Sequence, residues 1–259
     1  MEPSENIKKS VSHFFSGTLL SRLTGLCREI TMAAFFGSSP SVAAFWMAYR
    51  FSNVLRRLLG EGALQASFIP MYEEKRHKVE GSGAVFCQRV HSSLVFVLFG
   101  VVLMLELGLF CGQSFFKLSS QSEEVLYFTM IMVPSLIFIC LTSLYQALYQ
   151  ADQQFFLPAF SPVAFNVVWI AGAWAFSGGD MFFSLKNLSL TIVLAYFIQW
   201  LFLLPKVVTL CSKQGVSCFS FSGLFTKDVG VLFRRLGLAA LGVGAVQVNS
   251  VLDMIFARS

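Results

Sequence analysis

Charge is scarce in this chain. Only 13% of its 259 residues are Asp, Glu, Lys or Arg, about half the share typical of a soluble domain. That shortage excludes an ordinary water-soluble core, and a 56% hydrophobic content excludes a disordered chain. There are three histidines (His13, His77, His91), with no HExxH and no clustering with cysteine, which argues against a zinc site. The six cysteines (Cys27, Cys87, Cys111, Cys140, Cys211, Cys218) form no CxxC pair. Most sit in apolar stretches and read as small buried hydrophobes. The four aspartates (Asp152, Asp180, Asp228, Asp253) are dispersed. An enzyme acting on polyprenyl phosphates would cluster carboxylates around Mg²⁺, so their spacing argues against one. No motif for a cofactor is present.

Long apolar runs are what the chain does have, with 29 Phe residues and a mean hydropathy of +0.69. A membrane-spanning helix needs about 20 mainly apolar residues. Residues 125–151, 153–179, 187–205 and 236–252 carry no charge, and 90–116 is interrupted only by Glu106. Gly37-Ser38-Ser39-Pro40-Ser41 is a turn signal that divides the first sixty residues into helices of 14–36 and 42–59. Seven helices follow, in an all-α polytopic membrane bundle. Lys8 and Lys9 resemble the start of a signal peptide. Arg22 breaks the apolar stretch early, however, and no A-x-A-like site follows before Arg28, which argues against cleavage.

The net charge of +5 would suggest nucleic acid on a soluble chain; here the location of the charges matters more. With the N-terminus inside, the inner segments carry thirteen Lys and Arg residues and the outer segments three. The positive-inside rule then places the N-terminus in the cytoplasm. The 206–235 segment mixes Phe and Leu with small polar residues and basic ends, and fits an interfacial helix or a plain loop equally well.

Three arginines, Arg22, Arg28 and Arg50, fall inside the first two spans. Each costs about 2.5–3.5 kcal/mol at mid-bilayer on insertion scales, so they should face protein or water. At 100° per residue, Gly17, Thr18, Ser21, Arg22, Thr24, Gly25, Arg28 and Glu29 share one side of the first helix, and Leu19, Leu23, Leu26 and Ile30 lie opposite. Gly17, Ser21 and Gly25 keep the spacing that lets helices approach closely. On the second helix Arg50, Asn53, Arg57 and Glu61 form a stripe, with Arg56 about 100° away. Arg56 and Arg57 also fit a juxtamembrane basic pair, and Arg22 and Arg28 a structural ion pair with Glu29. One carboxylate does not neutralise two arginines, so the favoured reading is a wet electropositive cavity lined by Arg22, Arg28, Arg50 and Arg56. Guanidinium stays charged when partly desolvated and matches phosphate or carboxylate oxygens two at a time. Such a cavity suits an anionic head group, whose unaided passage through hydrocarbon would cost roughly tens of kcal/mol.

The segments SRLTGLCREITMAAFFG (21–37) and AFWMAYRFSNVLRRLLGEGALQASFIP (44–70) closely resemble the MurJ/MviN family of lipid II flippases. The matching residues are Ser21, Arg22, Gly25, Arg28 and Glu29, then Asn53, Leu55, Arg56, Arg57, Leu58, Glu61, Gly62, Ala63, Phe68 and Pro70. PAFSPVAFNVV (158–168) and LGVGAVQVNSVLDMIFA (241–257) continue the resemblance over essentially the whole chain. It implies the N-terminal lobe of a two-lobed, all-helical exporter fold in the bacterial inner membrane. It also implies alternating-access transport of a lipid-linked peptidoglycan precursor from the inner to the outer leaflet, with no enzymatic step. By motif match Arg22, Arg28 and Arg56 would contact the pyrophosphate, Arg50 stands at a usual Lys/Arg position, and Ser21 at a cavity serine. Glu29, Asn53, Arg57 and Glu61 are secondary candidates.

Two departures stand out. Ala43 occupies a position where the family often has Asp. The motif favours Arg56 for the cavity, whereas helix periodicity favours Arg57. Family members are also about twice as long. The expected division is a six-helix lobe over 1–210, a connector over 211–235, and a seventh helix over 236–259 that opens a second lobe. A fragment, a half-transporter joining a separate C-terminal lobe, and an exporter of another polyprenyl-linked oligosaccharide are the alternatives. Cation exporters favour intramembrane carboxylates, and here arginine outnumbers them.

Overall fold

The computed structural model describes residues 3–59, 63–78, 81–115, 119–217, 220 and 223–256, with side chains described from 14 to 242 within these ranges, apart from 55 and 57–59. The described residues are helical, with no strand among them. The helices are α1 (Pro3–Phe36), α2 (Pro40–Leu59), α3 (Ala63–Lys78), α4 (Ser82–Phe115), α5 (Ser120–Met132), α6 (Ser135–Ala151), α7 (Phe156–Phe176), α8 (Met181–Lys213) and α9 (Lys227–Phe256). The fold is an all-α polytopic membrane bundle. By length and composition, α4, α7 and α8 suffice to cross a membrane, and α5 with α6 makes a fourth crossing if their 46° bend is taken as one broken span. α1 and α2 are 34 and 20 residues long; what sets them apart is the arginine they carry.

The turn at 37–41 forms where its residues require it. Gly37 closes α1 at φ +58, the left-handed geometry that glycine adopts without strain. Ser39 Oγ accepts the Val42 N–H at 3.2 Å, and Pro40 starts α2, where its missing N–H costs nothing.

Three features differ from the sequence reading. The charge-free run 125–151 is broken between Met132 and Ser135. Pro134 has no N–H to give and its ring crowds the preceding turn. Residues 63–78, outside the seven expected spans, form α3; its four basic or titratable last-turn residues hide a buried face of Leu64, Phe68, Met71 and Tyr72 at helical spacing. The connector is also shorter than expected. α8 continues to Lys213, α9 starts at Lys227, and the described residues between them form turns and irregular chain.

Two apolar cores hold the bundle. One joins α3, α4, α6, α8 and α9 through residues such as Phe68, Val90, Leu144, Leu203 and Val229. The other joins α1, α2 and α5–α8 around Phe45, Phe128, Trp169 and Leu188. α1 packs along α7, which packs along α8. Gly17 permits the first contact: a Cβ there would lie 3.1 Å from Ala159 Cβ and 3.3 Å from the Phe156 carbonyl. On the opposite face Leu19, Leu23, Leu26 and Ile30 are exposed, so the helical-wheel division of α1 is present in three dimensions.

At the end of the bundle where α3 ends and α9 begins, cations meet carboxylates. Lys75 contacts Asp228 at 2.6 Å, and Asp152 receives Arg76 at 2.6 Å and Lys206 at 2.8 Å. α3 is thereby tied to the ends of α6, α8 and α9.

Candidate functional site

The site is built where the polar face of α1 meets α7 and α2. Arg28 is its best-defined member. Its Nη1 donates to Asn166 Oδ1 at 3.1 Å, and its Nη2 donates to Glu29 Oε1 at 2.6 Å. The guanidinium carbon lies 4.8 Å from the Trp169 ring centroid and 5.9 Å from that of Phe165, within cation–π range. Asn166 also donates to the Ser21 carbonyl at 3.3 Å and the Thr24 hydroxyl at 3.0 Å. One buried amide thus fixes α1 to α7 and orients the arginine. The Arg28 side chain is 17% exposed while Glu29 is 51% exposed. Glu29 is the more solvated partner and Arg28 lies behind it, packed against α7.

Glu29 links this cluster to a cavity of about 600 Å³ lined by Glu29, Ala43, Trp46, Met47, Tyr49, Arg50 and Asn53. The wall is aromatic. Trp46 stacks on Trp169 at 6.1 Å, and Tyr49 meets Trp169 edge-on at 4.9 Å. Ala43 lines the cavity without a carboxylate, so Arg50 there faces Glu29 as the acidic residue of the lining. Arg56 projects into a smaller hollow of about 80 Å³ with Thr142, Ser143, Gln146, Tyr196 and Gln199 from α6 and α8. Arg56 thus lies against polar side chains of α6 and α8.

The structure brings together Ser21, Arg28 and Glu29, with Arg50 and Asn53 in the adjoining cavity. Arg22 lies apart from them. It is exposed on α1, a helix whose main neighbour is α7, and Glu29 pairs with the adjacent Arg28 instead. The side chain of Arg57 and all of Glu61 lie outside the described residues. Sequence reasoning missed Asn166, Trp169, Trp46, Tyr49, Gln146 and Gln199. It followed charge alone; amides inside apolar spans carry the same signal more faintly. Among the described residues no group of three or more His, Cys, Asp or Glu side chains converges on one point. The chemistry available is recognition of an anion by guanidinium and amide groups against an aromatic wall.

The chain is similar to known proteins in both sequence and fold. Residues 32–259 match the family described as Lipid II flippase MurJ. A probable lipid II flippase MurJ from Chlamydia muridarum is 29% identical over 98% of this chain and 46% of its own length. A lipid II flippase MurJ from Burkholderia cenocepacia is 33% identical over 91% of this chain and 47% of its own. The chain spans about half the length of the curated relatives it matches. In three dimensions it resembles a lipid II flippase MurJ in an inward closed conformation, with a TM-score of 0.69, 21% identity, and coverage of 93% of this chain and 49% of that one. It also resembles an outward-facing multidrug resistance MATE family transporter of the MOP superfamily, with a TM-score of 0.66, 13% identity, and coverage of 93% and 54%. These likenesses establish the fold, and the match over residues 32–259 establishes that the chain belongs to the lipid II flippase MurJ family.

Proposed function

We propose that this chain supplies the first lobe of a transporter that moves a polyprenyl-pyrophosphate-linked glycan, lipid II or a close relative, from the inner to the outer leaflet of the bacterial inner membrane. The observation that carries the reading is Arg28, held by Asn166 and Glu29 over Trp169 beside the Arg50-lined cavity. Arg28 and Arg50 offer charge and paired donors to phosphate oxygens, Arg56 extends the basic path, and Ser21 and Asn53 add polar contacts. Arg22, exposed on α1, meets the head group at the rim. The protein makes and breaks no covalent bond of its substrate.

In this reading the helices up to α8 form the first lobe, the chain between Lys213 and Lys227 the connector, and α9 the start of a second lobe. The N-terminus is cytoplasmic. Alternating access requires a partner lobe to rock against, so a C-terminal lobe is the implied partner. The test is a full-length relative carrying this chain in place of its own first half, expressed in cells depleted of their flippase. Growth should be restored, and Arg28→Ala should abolish it at unchanged membrane abundance. Growth on the Arg28→Ala protein would overturn the assignment.

A further inference from the structure

A second polar cavity lies outside the arginine site, at the basic end of the bundle. Its volume is about 420 Å³, and Lys75, Ser82, Arg89, Gln214, Thr226 and Asp228 supply its polar lining. Four elements meet there: the end of α3, the first turns of α4, the connector, and the start of α9.

Its charges do not cancel. Lys75 is compensated by Asp228 at 2.6 Å. Arg89 is half-buried, and among the described residues no carboxylate lies within 4.0 Å of it. Among the described residues the lining therefore carries one net positive charge. The arginine is also held in place. A Cβ at Gly223 would lie 3.0 Å from Arg89 Nε and 3.6 Å from Cζ, so the connector runs directly against the guanidinium. Gly223 has φ +75, which lets the chain turn there without a side chain in the way. Hydrogen bonds fix the connector on α4: Ser220 O accepts from Gln88 and from Ser92 Oγ, and Phe225 N–H donates to Ser93 Oγ at 3.4 Å. Thr226 Oγ1, also in the lining, is buried with no hydrogen-bond partner, and a buried hydroxyl without one is costly.

We propose that this cavity is a binding site for a phosphate-bearing anion, with Arg89 as the charged donor and Thr226 as the hydroxyl contact. The Lys75–Asp228 pair forms one wall. A preorganised guanidinium beside a hydroxyl donor is the recognition chemistry of phosphate, and basic hollows between helices at a membrane boundary take anionic head groups. The ligand is either a lipid head-group phosphate or a soluble phosphate, and the site is separate from the one around Arg28.

The test uses the purified full chain in phosphatidylcholine nanodiscs. In one arm inorganic phosphate is titrated at constant ionic strength against chloride, and the thermal midpoint is followed. In the other, phosphatidylglycerol is mixed into the disc and lipid retained per chain is counted by native mass spectrometry. The phosphate-induced rise in midpoint, or the retention of one phosphatidylglycerol, should weaken about tenfold in Arg89→Gln, the cost of one charged hydrogen bond. A soluble ligand moves the first arm and a lipid the second. Thr226→Val, nearly isosteric, should weaken the same arm to a lesser degree and serves if Arg89→Gln does not stay monodisperse. No effect of phosphate or phosphatidylglycerol on the wild-type chain overturns the proposal, as does an effect that the variants retain in full.

Discussion

Two groups of cations in this molecule contrast, and the contrast shows what each is for. At the basic end, where α3, α6 and α8 end and α9 begins, Lys75, Arg76, Lys78 and Lys206 each have a carboxylate within 2.8 Å. Those pairs fasten helix ends. Along α1 and α2 the balance reverses. Arg28 shares a half-exposed Glu29 and leans on an amide and an indole, while Arg22 and Arg50 have no carboxylate within 4.0 Å among the described residues. Within a bilayer an unmatched guanidinium is expensive. Its presence there points to a ligand, whereas the matched pairs at the end point to architecture.

Breaking the inner set should therefore affect function, and breaking the outer set stability. The largest effect is expected from Arg28→Ala, which abolishes transport in the chimeric full-length protein while helicity by circular dichroism is retained. Asn166→Ala should follow it more mildly, since it frees Arg28 from α7 without removing charge. Packing comes next. A Cβ at Gly172 would overlap the Thr191 side chain, so Gly172→Ala should destabilise the α7–α8 contact by about 1–3 kcal/mol, read as a lower unfolding midpoint.

Smaller effects belong to the outer set. Asp152→Asn removes the shared acceptor of Arg76 and Lys206 and should cost about 1 kcal/mol, because Arg76 is well exposed to solvent. Its binding of a lipid diphosphate should be unchanged in titrations of the purified chain. The smallest change concerns Glu74, whose carboxyl is held below its usual range by the Lys78 hydrogen bond and then by the Lys78 charge. A depressed carboxyl stabilises the fold above its ordinary value, and that contribution is lost as pH falls through the depressed one. Lys78→Ala should flatten this slight acid-side slope in pH-dependent melts.

Much of this organisation was legible beforehand. The arginines of α1, its leucine face and the turn at Gly37–Pro40 follow from helical period and turn chemistry alone. Periodicity and motif pointed to different arginines of α2, Arg57 and Arg56, because periodicity alone does not tell which side of α2 meets α6 and α8. α3 escaped notice because its basic last turn outweighs its apolar stripe in composition. The bend at Pro134 was hidden by a run with no charge to mark it. Asn166 and Trp169 come from a span more than a hundred residues beyond Arg28, and only the packing of α1 on α7 brings them together.

The central claim is that the Arg28 cluster recognises a diphosphate head group. It is tested most directly by titrating the purified chain in phosphatidylcholine nanodiscs with a polyprenyl diphosphate and with the matching uncharged polyprenol. The account predicts that the diphosphate binds more tightly and that Arg28→Ala removes at least about tenfold of that preference. Equal affinity for the two lipids, or a preference that survives Arg28→Ala intact, would contradict it.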